Sequence, residues 1–301
     1  MNNGKVDWKG NFTAVITPFT QSGEIDERLY RENVERLIGH GVNGIVVSGC
    51  TGESWSLKAD EKVHLVSLAV DVSNGRVPVV AGTGTIGTAD VIDVSKRAKD
   101  AGAAGILVLP PYYAMPGMRE IELHYKAISD AVQHPIMLYN IPRRTGINME
   151  PEMIARLTEL EWVVAIKESS NGFTQLEQLI RLAGDAMHIF AGHSAERGYA
   201  AVKVGCKGFV SSLEAQAMPE EAVGLYRLTV EGKDEEAKRV QYRCLELDQF
   251  LRSGVGTFPA NLKETMLQRG MESGHVRSPI QPLTAQERDK VSEILQRLDL
   301  L

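Results

Sequence analysis

The sequence predicts an α/β protein: a closed (β/α)8 TIM barrel followed by a C-terminal three-helix segment. Three observations predict it. Short apolar runs without polar alternation recur along the chain, which is how strands covered on both faces read. Each run is followed by a turn and then by a stretch whose apolar residues fall at helical spacing. Eight such strand–helix units follow one another, with starts roughly 20 to 34 residues apart. Strict alternation of this kind demands a parallel sheet with right-handed crossovers. Eight units are the number that closes a barrel, whereas a doubly wound open sheet usually has fewer and a topological switch point.

The elements are justified in order. The first strand is expected from Phe12 to Thr17, closed by Pro18. Asp26 is a good N-cap for a helix through His40, with Leu29, Val34, Leu37 and Ile38 on one face. Strand two is Asn43 to Val47, followed by Ser48-Gly49-Cys50-Thr51-Gly52-Glu53-Ser54 and a helix near Lys58 to Val72. Strand three is Val77 to Ala81, and its helix runs from Thr88 to Ala101. Strand four is Ala104 to Leu109, then Pro110-Pro111-Tyr112-Tyr113 and a helix from Arg119 to Val132. Strand five is Pro135 to Tyr139, with a long loop to Asn148 and a helix from Pro151 to Thr158. Strand six is the run Trp162-Val163-Val164-Ala165-Ile166-Lys167, with a polar turn through Asn171 and a helix from Phe173 to Leu182. Met187 to Ala191 and Gly208 to Ser211 complete the strands, with helices at Ala195–Val204 and Pro219–Val230. Residues 1–230 are therefore assigned to the barrel. Residues 231–301 form the helical segment: Lys233 to Leu251, a linker from Arg252 to Thr257, Pro259 to Arg269, and a last helix capped by Thr284 with Glu287 at the capping-box position.

Composition narrows the function. The 301 residues carry 33 Lys and Arg against 39 Asp and Glu, a net charge of −6. No basic run is long enough to track a phosphate backbone, so neither nucleic acid nor an anionic membrane is an expected partner. The three cysteines, Cys50, Cys206 and Cys244, are widely spaced and suit a reducing cytoplasm. The first ten residues lack the apolar core of a signal peptide, and no apolar run approaches a membrane span.

In a barrel the site is expected at the carboxyl ends of the strands. Those ends hold Thr17, Cys50, Thr51, Thr83, Tyr112, Tyr113, Tyr139, Lys167, His193 and Ser211, with Gly192 and Val210 beside the last two. The set contains one amine, several hydroxyls and no Asp/Glu/His cluster of metal-binding type. A lysine closing a buried strand has its ammonium desolvated and its pKa lowered, and a neutral amine forms a Schiff base with a ketone. The bland alternative is that Lys167 snorkels to solvent or pairs with Glu168. Tyr139 is placed to shuttle protons, and Thr51 with its turn amides to hold a carboxylate. Gly82-Thr83-Gly84-Thr85-Ile86-Gly87 matches G-x-G-x-x-G, but no acidic residue closes the next strand, so a tight turn is expected rather than a dinucleotide site. Cys50 reads as a small packed cysteine and His193 as either a site or a surface residue. Tyr112 and Tyr113 are either site residues or simply core or interface aromatics. Arg143 and Arg144 either fork onto a substrate carboxylate or line a solvated loop.

As a set these motifs resemble the dihydrodipicolinate synthase / N-acetylneuraminate lyase family of Schiff-base-forming pyruvate lyases. The likeness rests on residues 14–19 (AVITPF), 48–54 (SGCTGES), 81–84 (AGTG), 111–113 (PYY), 139–146 (YNIPRRTG) and 166–168 (IKE), and covers essentially the whole chain. It implies an imine on Lys167, needing no cofactor, with pyruvate or another keto acid. It implies Tyr139 as the proton-transfer residue and Thr51, with Cys50 beside it, at the pyruvate carboxylate. Tyr113 would be lent to the neighbouring subunit's relay in a homotetramer built as a dimer of dimers. Arg144 would meet the carboxylate of an aldehyde acceptor, which favours the synthase branch, pyruvate plus aspartate semialdehyde. Gly192, His193 and Val210 would complete the substrate-binding set. Three departures stand out. Cys50 replaces the first of two adjacent threonines, and a thiol is a weaker hydrogen-bond partner than a hydroxyl. His193 stands where an acidic residue is usual. At the family's feedback lysine site, Ala59 and Lys62 replace histidines, Ile86 an asparagine and Asp90 a glutamate, so weak or absent lysine inhibition is expected. The rival readings are an aldolase or dehydratase of 2-keto-3-deoxy sugar acids, and a non-catalytic keto-acid-binding homologue.

Overall fold

A computed structural model describes residues 6–170, 172–252 and 254–301. Residues 1–5, Asn171 in the turn after the sixth strand and Ser253 in the linker lie outside the described residues. The eight strands are β1 (Gly10–Ala14), β2 (Gly44–Val47), β3 (Val79–Gly82), β4 (Gly105–Val108), β5 (Ile136–Asn140), β6 (Val163–Glu168), β7 (His188–Ala191) and β8 (Gly208–Ser211). They pair in parallel in chain order, and β8 pairs back to β1, closing the barrel. Every strand residue is buried except Lys167, which is half-buried. This is the two-sided burial that unalternating apolar runs encode.

The helices alternate with the strands. They are α1 (Glu27–Gly39), α2 (Ala59–Ser73), α3 (Thr88–Asp100), α4 (Met118–Val132), α5 (Pro142–Thr145), α6 (Pro151–Leu157), α7 (Phe173–Ala183) and α8 (Ser194–Lys203). After β8 come α9 (Leu213–Ala217), α10 (Pro219–Ala222) and α11 (Leu225–Val230), then α12 (Asp234–Arg252), α13 (Phe258–Gln268) and α14 (Ala285–Arg297). The Asp26 side chain accepts from Leu29 N at 2.9 Å, as its N-cap position requires. Thr284 and Glu287 form the capping box that starts α14.

Four details differ from the sequence reading. β1 starts and ends earlier than expected, because only Gly10–Ala14 lie in the ladder while Ile16 and Thr17 have turned into the loop above it. The loop after β5 contains α5, a single helical turn opened by Pro142 and closed by left-handed Gly146 at φ +74°. α9 was not anticipated at all. The helix expected at Pro219–Val230 is two, α10 and α11, separated at Val223–Gly224.

One apolar cluster fills the barrel. It includes Phe12, Val46, Val80, Leu107, Met137, Ala165, Phe190 and Val210, one inward residue from each strand. Phe12 and Phe190 pack with ring centroids 4.9 Å apart. Lys167 lies two residues beyond Ala165 and Tyr139 two beyond Met137, so strand periodicity turns both inward at the carboxyl end. The outer layer joins strand residues such as Val163 and Ile189 to Cys244, Leu247, Leu262 and Ile294 of the C-terminal helices in a single cluster.

Candidate active site

Lys167 and Tyr139 are direct partners in the β5–β6 ladder. The Lys167 Nζ lies 4.4 Å from the centroid of the Tyr139 ring. Burial lowers the ammonium's pKa to about 8, the charges of Cys50 and Glu214 oppose that, and Arg144 adds to it. Glu168 does not neutralise Lys167. Its carboxylate faces the other side of the strand, taking Asn140 Nδ2 at 2.9 Å and the Ser170 N–H at 2.6 Å. The pairing of Lys167 with Glu168 therefore fails on geometry.

Tyr139 is 4 % exposed. Its hydroxyl donates to Cys50 Sγ at 3.9 Å, a long contact of the kind a thiol gives. Burial drives the phenol's pKa well above its usual value, Cys50 adds to this, and Arg144 and a hydrogen bond with Ser169 act against it. Cys50 is half-buried and packs against the inner cluster while its thiol faces the cavity.

The loop carrying Cys50 and Thr51 is held from several sides. Thr17 Oγ1 donates to Gly52 O at 2.8 Å. Glu53 is completely buried with a left-handed backbone at φ +55°. Its carboxylate pairs with Lys263 of α13 at 2.6 Å and accepts from the Arg277 N–H at 3.2 Å. Lys263 also donates to Thr17 O at 2.7 Å and His275 O at 2.6 Å. The C-terminal segment thus fixes the loop that presents Thr51, which is 5 % exposed and lines the cavity with Lys167. Gly82 and Gly84 serve packing: a Cβ on Gly82 would sit 2.3 Å from Ser48 O, and one on Gly84 2.9 Å from Leu109.

His193, at left-handed φ +53°, opens α8 with its Nε2 3.2 Å from Ser169 O. Burial, then the charges of Arg252, Arg197 and Arg143, lower its pKa to about 3, so the ring is a neutral wall of the cavity. Val210 also lines the cavity. Gly192 is not among the lining residues. It is required by close approach instead, since a Cβ there would fall 1.8 Å from Ser169 Oγ. Arg143 and Arg144 both reach the cavity from α5, and the Arg144 guanidinium stacks over Trp55 at 5.3 Å. Tyr113 stands apart from the cavity, 88 % exposed with φ +67°.

Sequence reasoning missed Ser169, Ser194, Glu214, Asp248, Arg252 and Phe258, which also line the cavity. Ser169 sits two residues past Lys167 and Ser194 one past His193, and both were within reach of the strand-end rule. The other four come from α9, α12 and the start of α13, elements with no strand-end signal.

The comparisons with known proteins agree with this geometry. The model of the Dihydrodipicolinate synthetase family matches residues 7–298. The 4-hydroxy-tetrahydrodipicolinate synthase of Geobacter sulfurreducens is 37 % identical, over 98 % of this chain and all of that protein. The enzyme of the same name from Methanothrix thermoacetophila is 34 % identical over 97 % of each chain. Among solved structures, dihydrodipicolinate synthase from Aquifex aeolicus superposes with a TM-score of 0.91 at 30 % identity, covering 97 % of this chain and 99 % of that one. YagE from E. coli K12, solved in complex with pyruvate, gives 0.93 at 26 % identity, covering 98 % of this chain and 100 % of that one. A barrel with a desolvated lysine near the carboxyl end of its sixth strand, matched end to end by these proteins, places the chain in the dihydrodipicolinate synthetase family.

Proposed function

We propose that the protein is a pyruvate-dependent lyase acting through an imine on Lys167, and that its reaction is that of a 4-hydroxy-tetrahydrodipicolinate synthase. The observation that carries this reading is the Lys167 amine, lowered to a pKa of about 8 by burial and paired in register with Tyr139. The neutral amine attacks C2 of pyruvate, the carbinolamine oxygen takes up a proton and leaves as water, and the iminium forms. A C3 proton passes through the Tyr139 hydroxyl, and the resulting enamine attacks the aldehyde of aspartate semialdehyde. Thr51 and its turn amides hold the pyruvate carboxylate, and Arg144 the acceptor's. The protein works in the cytoplasm as a homotetramer, with Tyr113 lent to the relay of the neighbouring subunit. Among the described residues, no helix is long and apolar enough to cross a membrane.

Borohydride reduction in the presence of pyruvate, read by peptide mass spectrometry, is expected to leave a stable adduct on Lys167. No adduct there would sink the imine reading and leave a non-catalytic keto-acid binder. Turnover of aspartate semialdehyde then tests the substrate. A second reading, an aldolase or dehydratase of 2-keto-3-deoxy sugar acids, is favoured by the 3.9 Å thiol contact of Tyr139 and by neutral His193 in the cavity wall. Turnover of such an acid without turnover of the semialdehyde would select it.

A further inference from the structure

Glu214 is a buried carboxyl in the cavity of Lys167 that the proposed chemistry does not use. It sits on α9, a single short helix of which every residue is buried. Gln216 locks that helix over the end of β1, donating to Ala14 O at 3.0 Å and accepting from the Ile16 N–H at 3.2 Å. Glu214 is 3 % exposed and lines the same cavity as Lys167 and Arg252. Its Oε1 accepts from the Ser194 hydroxyl, and the backbone N–H groups of Ser212 and of Glu214 itself also favour its charged form. Among the described residues no ion pair includes it, and the adjacent arginine, Arg252, is engaged by Asp248 at 2.5 Å and Glu196 at 3.9 Å. A buried carboxyl without a cation is costly, and burial raises this one's pKa. The group is rigidly held, opens into the cavity of the imine lysine, and is matched only in part by the protein.

We propose that Glu214 is the specificity-determining residue of the acceptor subsite, and that its carboxyl receives a hydrogen-bond-donating substituent of the acceptor. The shared chemistry is an N–H or O–H donor one or two carbons along from the reacting aldehyde: the ammonium of an amino aldehyde or the hydroxyl of a hydroxy aldehyde. The acceptor's carboxylate goes to the arginines, and its donor group goes to Glu214. This deepens the imine reading above and rests on it.

The test uses the full-length protein and two variants. Glu214→Gln keeps the volume and an oxygen for the Ser194 hydroxyl but loses the charge. Glu214→Leu loses both acceptor oxygens. Both are expected to form the borohydride-trapped pyruvate adduct on Lys167, which also shows that they are folded. With aspartate semialdehyde, Glu214→Gln is expected to lose about tenfold to a hundredfold in kcat/KM, mainly through the acceptor's KM, as deletion of one charge-assisted hydrogen bond predicts. If the donor is instead a hydroxyl, glyceraldehyde turnover survives in Glu214→Gln and falls by about the same factor in Glu214→Leu. A normal pyruvate adduct with unchanged kinetics for both acceptors in both variants overturns the assignment of Glu214 alone. No pyruvate adduct in the parent protein overturns the imine reading on which it rests.

Discussion

At the scale of the residue, the controlling quantity is the protonation of Lys167. With a pKa of about 8 the amine is neutral in about one molecule in ten at pH 7. An unperturbed lysine would be neutral in about one in several thousand. The sign follows from the cause: burial penalises the ammonium, so the reactive form gains as pH rises through 8 rather than through 10.5. The rate of imine formation with pyruvate, followed by rapid-quench borohydride trapping, is therefore expected to climb between about pH 7 and 9 and level off. A midpoint near that of a free lysine would contradict the desolvated site, and Lys167→Ala should give no adduct at any pH. Tyr139 is the second test. Tyr139→Phe keeps the ring under the amine but removes the hydroxyl that meets Cys50. It is expected to lower kcat by about a hundredfold to ten-thousandfold while leaving pyruvate binding nearly intact. Equal loss in kcat and in pyruvate affinity would point to a packing role instead. Both residues were legible in the sequence because a buried strand fixes where its last inward side chain points. The thiol contact was legible only as a substitution, because whether Cys50 faces Tyr139 depends on how the loop after β2 folds.

At the scale of the element, that loop depends on the far end of the chain. Glu53 and Lys263, both almost fully buried, lie 2.6 Å apart. Removing one partner strands the other as a buried charge, which costs about 3–5 kcal/mol. Glu53→Gln is therefore expected to lower the urea midpoint clearly and to raise the pyruvate KM through the displaced Thr51. A variant with unchanged stability would mean that the pair is dispensable. A second element-level prediction concerns the cavity beside Trp55, lined by Lys62, Tyr112 and Arg144. Lys62 is 8 % exposed, and burial lowers its pKa. A ligand ammonium entering there meets the basic side chains of Lys62 and Arg144 and no carboxylate among the lining residues. Assays with millimolar lysine are expected to show little inhibition, and a steep inhibition curve would refute this. The strands themselves were readable because each is one uninterrupted apolar run. α5 and α9 were not. A helix of four or five residues is too short for periodicity to register, and both take their shape from tertiary contacts: α5 from the turn closed at Gly146, α9 from the two Gln216 hydrogen bonds to the β1 end. Arg143 and Arg144 ride on α5 and were legible as candidates for a carboxylate, whereas Glu214 rides on α9 and was hidden with it.

At the scale of the molecule, the loops after β2, β3 and β4 carry large apolar side chains in the open. Trp55 is 39 % exposed, Ile86 42 %, Tyr113 88 % and Met115 56 %. Tyr113 and Met115 also hold left-handed backbones, at φ +67° and +48°. Such conformations cost about 1–3 kcal/mol each for residues with a Cβ and persist where something over-determines them. Exposed apolar groups on three loops at one end of the barrel, two of them on a strained backbone, suit a surface that a partner covers. A second copy of the chain is the partner that the homotetramer reading supplies, and it would bury Tyr113 beside the cavity of its neighbour. Sedimentation equilibrium is expected to give a mass near four times that of the 33.0 kDa chain. Tyr113→Glu places a charge in the contact and should shift the distribution towards smaller species with loss of activity. Tyr113→Phe separates packing from proton transfer: assembly should persist while kcat falls. A parent protein that sediments as a single 33.0 kDa chain and turns over at full rate would remove Tyr113 from the mechanism, leaving Tyr139 and Cys50 to move the proton alone.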